Sequence, residues 1–350
     1  MGDMNIGVLT GGGDCPGLNA VIRAITQKGI CKYGYNVFGV HEGWKGLLGE
    51  GLVKPLTMAD VANILKLGGT ILKTSRTNPF SVDNGPARIK ENIAKHSLDA
   101  LIVIGGVDTL GVAARLHQEG VRLVGVPKTI DNNVWGTDRT FGFDTAVNVA
   151  TEAIDRVRTT AEAHNRVFVV EVMGRDAGWI AIESGIAGGA TMILIPEFAV
   201  DLEKVVQCVA ERHKRGGEFS LIVVAEGTKI KRVAGDPSVV TVDDEKDEFG
   251  NVRLGGVADK VAEAIRRKTG FDCRSVRLGH IQRGGSPTAY DRVLSTRYGL
   301  YAVDMVHSGE FGKMAALKGT KIVPIPLTDV QKGSKTVDQE LYETAELFFG

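Results

Sequence analysis

The chain has 350 residues, of which 45 are glycine and only 6% are aromatic. Its 42 basic residues balance its 42 acidic residues, so charge gives no reason to expect binding to nucleic acid or to an anionic membrane surface. The four cysteines form no C-x-x-C pair, and no apolar run approaches the length of a membrane span. We therefore expect a soluble, cytoplasmic protein that is long enough for two domains.

The first apolar run, residues 5–9, predicts a strand that ends in a glycine turn containing Gly12 and Gly13. Apolar spacing after the turn predicts a helix. Strand, glycine turn and helix is an arrangement that lets backbone N–H groups approach phosphate oxygens. The turn matches neither a Walker A loop nor a dinucleotide fingerprint, so a purely structural turn is the alternative interpretation.

The same unit is predicted twice more before residue 135. Residues 35–40 predict a second strand, residues 68–76 a polar loop and residues 88–96 a helix. Residues 98–104 are strongly apolar, which is typical of a central parallel strand, and a glycine turn at 105–109 precedes helical spacing over 110–119.

A third strand, residues 123–126, stops abruptly at a polar stretch that contains Lys128, Thr129 and Asp131. Ligand sites of open α/β folds lie at the carboxyl ends of strands, so these three side chains are candidates for catalysis. Taken alone, the stretch could equally be a polar turn with Asx-type hydrogen bonds.

The rest of the chain alternates in the same way. Strands are predicted over 166–172, 191–196, 219–225 and 274–278, and helices over 147–157, 202–214, 257–268 and 288–307. Residues 230–254 are polar, and we expect a surface excursion with solvated charges and no metal site. The alternation predicts an α/β protein with parallel sheets and right-handed crossovers.

Six short segments carry a family resemblance. They are residues 12–19, 105–109, 127–133, 173–175, 225–227 and 279–285. Over nearly its full length, the chain resembles the phosphofructokinase family, and Gly-His-Ile-Gln-Arg-Gly-Gly at 279–285 is the most distinctive match. The resemblance implies two lobes, each a sheet sandwiched by helices, with the active site in the cleft between them. It also implies phosphoryl transfer to the 1-hydroxyl of fructose 6-phosphate, in glycolysis or gluconeogenesis.

The resemblance also implies a role for each site residue. Asp131 would be the base that takes the hydroxyl proton, with Thr129 and Arg175 beside it. The implied sugar-phosphate ligands are Arg166, Met173, Gly174, Arg175, Glu226, Arg274, His280 and Arg283. The implied donor-binding residues are Gly12, Gly13, Arg76, Gly106, Asp108, Thr109 and Lys128. These residue types suit a reaction that depends on positioning and charge neutralisation, because guanidinium forks bind phosphate bidentately.

Two positions indicate the phosphoryl donor. Family members that use ATP typically have Gly where this chain has Asp108 and Lys128, whereas both residues resemble the pyrophosphate-dependent enzymes of the short actinobacterial type. A carboxylate at Asp108 adds bulk and negative charge where the α-phosphate of a nucleotide would lie. Lys128 supplies a cation for the smaller pyrophosphate.

Two other positions depart from the family. Val107 stands where an acid normally helps to hold Mg²⁺, and Asn133 stands where Asp normally follows the Thr-Ile-Asp-Asn motif. Each change removes a negative charge from the metal side, leaving Asp131 as the candidate metal ligand. Three alternatives follow: a catalytically weakened paralogue, a paralogue acting on another sugar phosphate such as sedoheptulose 7-phosphate, and retained ATP-dependent activity.

The resemblance further implies a division into lobes and an assembly. The donor-binding lobe would comprise residues 1–142 plus about 282–330, and the sugar-phosphate lobe residues 143–281 plus about 331–350. Arg166 and Arg274 would reach the 6-phosphate in a neighbouring subunit, since they would otherwise have no ligand. We therefore expect a homodimer or homotetramer with shared active sites.

Overall fold

The protein is described from a computed structural model that covers residues 4–49, 51–231, 241–246 and 248–349. In chain order its strands are β1 Asn5–Thr10, β2 Asn36–Val40, β3 Val53–Pro55, β4 Ala100–Gly105, β5 Leu123–Pro127, β6 Val167–Val172, β7 Met192–Leu194, β8 Ser220–Ala225, β9 Thr241–Lys246, β10 Val252–Leu254, β11 Cys273–Arg277, β12 Lys313–Lys318 and β13 Lys321–Pro326. The helices are α1 Leu18–Tyr33, α2 Met58–Val61, α3 Gly85–Lys95, α4 Val107–Gln118, α5 Phe143–His164, α6 Trp179–Ala187, α7 Leu202–Lys214, α8 Val257–Thr269, α9 Ala289–His307 and α10 Gln339–Glu346. Short 3-10 turns cover Gly43–Leu47, Pro79–Ser81, Gly279–Arg283 and Leu327–Lys332.

A seven-stranded sheet has the order β13-β12-β5-β4-β1-β2-β3. Its central strands pair in parallel, and β4 is buried along its whole length because helices cover both faces. Helices α1 and α9 pack on each other, and α9 also packs on β5, while α4 packs on β4. The carboxyl ends of β1, β4 and β5 therefore open at the same edge.

A four-stranded parallel sheet has the order β11-β6-β8-β7. Helices α5 and α6 pack together over this sheet, whereas α7 and α8 belong to a separate core cluster with residues such as Val169 and Ile222. The tail helix α10 packs on α6 and β7. The α/β architecture with largely parallel sheets is thus confirmed, and the exact lobe boundaries remain a prediction.

Antiparallel pairs involve strands that the apolar pattern of the sequence did not predict. Strand β3 pairs with β2, and β13 pairs with β12, so both edges of the large sheet are antiparallel. Strand β12 runs parallel to β5 only at Lys313 and Met314. Within the described ranges, no helix is long and apolar enough to cross a bilayer.

Two differences from the expected elements affect the site. Helix α4 begins at Val107, so Val107, Asp108 and Thr109 occupy its first turn and do not belong to the preceding loop. The expected excursion over 230–254 contains the antiparallel pair β9–β10. Residues 232–240 and 247 of this excursion lie outside the described part of the chain, so the expectation that their charges are solvated stays a prediction.

Candidate active site

A cleft of about 350 Å³ lies at the carboxyl ends of β1, β4 and β5. Parallel strands bring the ends of distant segments to one sheet edge, which is why the predicted motifs meet there. The lining residues are Gly12, Gly13, Arg76, Gly106, Val107, Asp108, Thr109, Lys128, Thr129, Asp131, Asn133, Arg175, Asp176, Phe249, Asn251, Arg283, Val330, Gln331, Gly333 and Ser334.

The glycine turn after β1 uses two of its N–H groups internally. Gly11 donates to the Ile104 carbonyl and Gly12 to the Ser75 carbonyl, each at 2.9 Å. The turn needs glycine because Gly12 has a φ of 79° and because a Cβ at Gly11 would lie 2.6 Å from Thr109 Cγ2. The turn thus shapes the cleft, and these two N–H groups are not offered to a phosphate.

Lys128 places a buried ammonium at the end of the cleft that Gly12 and Gly13 line. Its Nζ donates to the Gly13 carbonyl at 2.5 Å, and the residue is only 3% exposed. Burial lowers the pKa of Lys128, the Arg283 guanidinium lowers it further, and the negative charge of Asp131 opposes the shift. An anion bound beside this ammonium would favour its charged form.

Thr129 and Asp131 form a compact pair at the end of β5. The Thr129 hydroxyl donates to Asp131 Oδ2 at 2.9 Å, and the Asp131 N–H donates to Thr129 Oγ1 at 3.1 Å. Asp131 Oδ1 is buried and has no hydrogen-bond partner among the described residues. An unpaired buried carboxylate oxygen is costly, so Oδ1 is an acceptor that a bound hydroxyl or metal-bound water would satisfy.

Arg283 and Arg175 approach from the motifs of the second half of the chain. Arg283 is buried; one terminal nitrogen donates to the Asp14 carbonyl at 3.3 Å, and its Nε has no partner in the described ranges. Arg175 has a φ of 55°, and its guanidinium donates to the Val252 carbonyl at 3.2 Å. A left-handed arginine is uncommon and indicates a constrained loop at this side of the cleft.

Glu226 lies just behind Arg175, whose N–H donates to its Oε1 at 3.3 Å. Burial raises the pKa of Glu226 to about 7, and the charge of Asp131 adds to the increase. The Arg175 N–H and the charges of Arg175 and Arg283 act against it. Near neutral pH this side chain is therefore poised to accept or donate a hydrogen bond.

Several of the remaining predicted residues lie outside the main cleft. His280 is exposed and lines an adjoining depression with Gly12, Gly13 and Arg76. Met173 is buried, and its N–H donates to Gln282 Oε1 at 3.3 Å, which ties the Met173–Gly174 turn to the 279–285 motif.

Arg166 and Arg274 are not brought to the cleft within this chain. Both pair with Asp272: Arg166 Nε lies 2.5 Å from Oδ2, and Arg274 Nη1 lies 2.6 Å from Oδ1. The two guanidinium groups are therefore held side by side, away from the residues that surround Asp131. Their expected reach into a neighbouring subunit remains a prediction.

Some lining residues were not predicted. Phe249 and Asn251 belong to the connection between β9 and β10, and Asn251 Nδ2 donates to Asp108 Oδ2 at 3.3 Å. Glu248 accepts from the Asn78 N–H at 2.8 Å. The expected surface excursion therefore also supplies cleft-lining residues, which the sequence did not predict, whereas Glu248 is exposed as expected.

A second unpredicted group comes from the tail. Val330, Gln331, Gly333 and Ser334 line the cleft, and the buried Ser334 Oγ has no partner in the described part of the chain. Asp176, beside Arg175, also lines it. Local sequence gave no signal for these positions, since their place depends on how the tail returns between the sheets.

The acidic side chains bear on metal binding. Among the described residues, no group of three or more His, Cys, Asp or Glu side chains could hold a metal ion. Val107 and Asn133 both line the cleft, where neither provides a carboxylate. The orphaned Asp131 Oδ1 suits a Mg²⁺ ion carried by phosphate oxygens and waters, because Mg²⁺ commonly takes only one or two protein carboxylates at such sites.

Comparison with known proteins gives consistent matches. The phosphofructokinase family model matches residues 5–306. The chain is 56% identical to a pyrophosphate--fructose 6-phosphate 1-phosphotransferase of Amycolatopsis mediterranei, over 99% of this chain and 100% of that protein. It is 49% identical to ATP-dependent 6-phosphofructokinase 3 of Streptomyces coelicolor, over 98% and 99% of the two chains.

Among solved structures, the crystal structure of Pichia pastoris phosphofructokinase in the T-state matches with a TM-score of 0.83 and 33% identity. The match covers 99% of this chain and 39% of that longer chain. Fold, motif order and full-length similarity thus agree, and the chain belongs to the phosphofructokinase family.

Proposed function

We propose that this protein transfers a phosphoryl group from pyrophosphate to the 1-hydroxyl of fructose 6-phosphate. The observation that carries the proposal is the buried Lys128 ammonium on the Gly13 carbonyl, in a cleft that Asp108 also lines. The cation suits a compact, highly charged donor, and the carboxylate disfavours the α-phosphate of a nucleotide. The relative from Amycolatopsis mediterranei that is 56% identical is a pyrophosphate--fructose 6-phosphate 1-phosphotransferase, which supports the same donor.

In this proposal Asp131 is the general base. Because Thr129 occupies Oδ2, Oδ1 is the oxygen that accepts the proton of the sugar 1-hydroxyl. The hydroxyl oxygen bonds to one phosphorus of pyrophosphate, and the bond from that phosphorus to the bridging oxygen breaks. Orthophosphate leaves with the electron pair, and in the reverse direction Asp131 returns the proton.

Cations on several sides would neutralise the transferring group. Lys128 and Arg76 would hold pyrophosphate, with Gly12, Gly13, Gly106 and Thr109 as the wall of the cleft beside it. Mg²⁺ bound with pyrophosphate would supply further charge neutralisation, and phosphate oxygens and waters would mainly hold it, because Oδ1 of Asp131 is the proposed proton acceptor. The loss of acids at Val107 and Asn133 leaves this cation dependent mainly on the substrate's own oxygens.

The sugar phosphate would occupy the side formed by Met173, Gly174, Arg175, Glu226, His280 and Arg283. Arg166 and Arg274 would complete the 6-phosphate site of a neighbouring subunit in a homodimer or homotetramer. Both guanidinium groups pair with Asp272 and therefore lie close together, which supports their joint use on one phosphate group. A cytoplasmic location fits these substrates.

A second candidate is a catalytically weakened paralogue that keeps sugar-phosphate binding. It is favoured by the same two residues, Val107 and Asn133, because both face the cleft in place of acids.

Steady-state assays would distinguish the two candidate functions. The assays would use pyrophosphate or ATP as donor and fructose 6-phosphate or sedoheptulose 7-phosphate as acceptor, with Mg²⁺ or Mn²⁺ titrated. We expect turnover with pyrophosphate and little with ATP. Equal use of both donors would refute the donor assignment, and binding without turnover would favour the second candidate.

A further inference from the structure

Lys335 lies in the tail, after the 3-10 turn Leu327–Lys332, and inserts its ammonium beneath the loop that follows Asp131. Its Nζ donates to Asn132 Oδ1 at 3.1 Å, to the Thr137 carbonyl at 3.0 Å and to the Asp138 carbonyl at 2.6 Å. An ammonium has three N–H donors, so these acceptors use all of them.

The backbone of Lys335 joins two loops of the site. Its N–H donates to the Asn133 carbonyl at 2.9 Å, and its carbonyl accepts from Trp179 Nε1 at 2.8 Å. Asn133 belongs to the loop of the proposed base, whereas Trp179 begins the helix that follows Arg175. The Trp179 ring also lies 5.1 Å from Lys335 Nζ, within range of a cation–π interaction.

Asn132 is the link from Lys335 to the proposed base. It is 2% exposed and has a φ of 52°, a left-handed conformation that is uncommon outside glycine although asparagine adopts it more readily than most residues. Its Oδ1 also accepts from the Thr140 N–H at 3.1 Å, and the Thr140 hydroxyl donates to the Thr129 carbonyl at 2.7 Å. Asp131 thus lies between two residues, Thr129 and Asn132, that one hydrogen-bond network fixes.

We propose that Lys335 is a positioning residue for phosphoryl transfer: it holds Asn132 in its left-handed conformation and so fixes Asp131 relative to the loop that carries Arg175. The inference rests on the proposed function, because it assigns Asp131 as the base. Lys335 itself does not line the cleft, so its effect on the reaction is indirect.

The electrostatic setting agrees with this geometry. Burial lowers the pKa of Lys335 to about 8, with Arg139 and Lys318 adding to the decrease and Asp138 and Glu183 opposing it. Keeping a cation here therefore costs stability. A lysine that served only to connect the tail to the rest of the chain would not need its ammonium buried beneath the loop that follows Asp131.

The test compares Lys335→Met, Asn132→Gly and the double variant in the pyrophosphate-dependent assay. Methionine keeps an apolar stem without the donors, and glycine adopts a positive φ readily while removing the Oδ1 acceptor. We expect kcat to fall on the order of 10- to 100-fold in Lys335→Met, because the carboxylate of Asp131 would no longer be held in its reactive position. KM for both substrates should stay within about threefold of the wild-type value, because Lys335 does not line the cleft. If both residues act through the same contact, the double variant should lose about as much kcat as the more impaired single variant, and less than the two single losses combined.

Lys318→Met is the matched control, because Lys318 is also a lysine near Asp138 but its ammonium pairs with the exposed Asp138 carboxylate. It should keep the wild-type kcat. Unchanged kcat in Lys335→Met, additive losses in the double variant, or a loss confined to KM would each overturn the inference. If Lys335→Met does not fold, Lys335→Ala replaces it. An unchanged kcat in Asn132→Gly would also overturn the inference, because Lys335 is proposed to act through Asn132.

Hydrogen exchange separates this inference from the proposed function. If the wild-type protein shows no turnover, the proposed function fails, and exchange in residues 129–140 still tests the network. We expect these amides to exchange faster in Lys335→Met than in the wild type or in Lys318→Met, because local opening becomes easier. Equal exchange in all three proteins would overturn the inference.

Discussion

Gly13 and Arg283 lie so close together that a Cβ on Gly13 would be 2.7 Å from an Arg283 terminal nitrogen. The two residues belong to motifs near opposite ends of the sequence, and the contact joins the glycine turn after β1 to the 279–285 motif. Arg283 lines the cleft, so a methyl group on Gly13 would push its guanidinium into the cleft. Glycine at this position therefore lets the Arg283 guanidinium keep its place.

Gly13→Ala should weaken binding of fructose 6-phosphate. The added methyl group must displace the Arg283 guanidinium, and loss of one charge-assisted contact costs about 1.5–3 kcal/mol, or roughly 10- to 100-fold in KM. Steady-state kinetics with fructose 6-phosphate would measure this. Gly49→Ala is the control, because a Cβ there meets nothing within 4 Å. Equal KM in the two variants would contradict the argument.

Asp131→Ser should nearly abolish turnover. Serine cannot replace the carboxylate as a base, so kcat should fall by about 10²–10⁴-fold, the usual contribution of a general base. Binding of fructose 6-phosphate, measured by calorimetry, should stay within about threefold, since the arginines that grip phosphate are unchanged. The exposed Asp155→Ser serves as control. A variant that keeps substantial turnover would show that another group accepts the proton.

Glu226→Gln should change how stability depends on pH. The pKa of about 7 in the folded protein exceeds the ordinary 4.5, so the folded state binds more protons between these values. The free energy of unfolding of the wild type should therefore fall as pH rises through this window, by roughly 2–4 kcal/mol from this group.

Glutamine cannot ionise, so the variant should lack this part of the decline and gain stability relative to wild type above pH 7. It keeps an oxygen for the Arg175 N–H. Denaturant unfolding at several pH values between 4.5 and 8 would measure the difference. Parallel curves for the two proteins would mean that Glu226 titrates as it does in the unfolded chain.

The sequence predicted those parts of the site that follow local strand ends. Lys128 and Asp131 were identifiable because an apolar strand stops abruptly before them, and parallel strands gather such ends at one edge. Asn251 and Ser334 were not, since their place in the cleft depends on how a distant connection and the tail fold back. Strand β12 was missed because, of its six residues, only Met314 and Leu317 are large and apolar, and it is flanked by lysines.

The metal-side substitutions give the last prediction. Val107 lines the cleft in the first turn of α4, where the helix dipole favours a negative charge. Val107→Glu should therefore lower the Mg²⁺ concentration for half-maximal activity, on the order of tenfold for an added group near the metal, or raise kcat at fixed Mg²⁺. Val107→Gln has the same size without the charge and should not have this effect. If both variants lower the Mg²⁺ requirement equally in steady-state assays, the size of the side chain matters and its charge does not. If neither variant lowers it, another group already compensates for the missing acid.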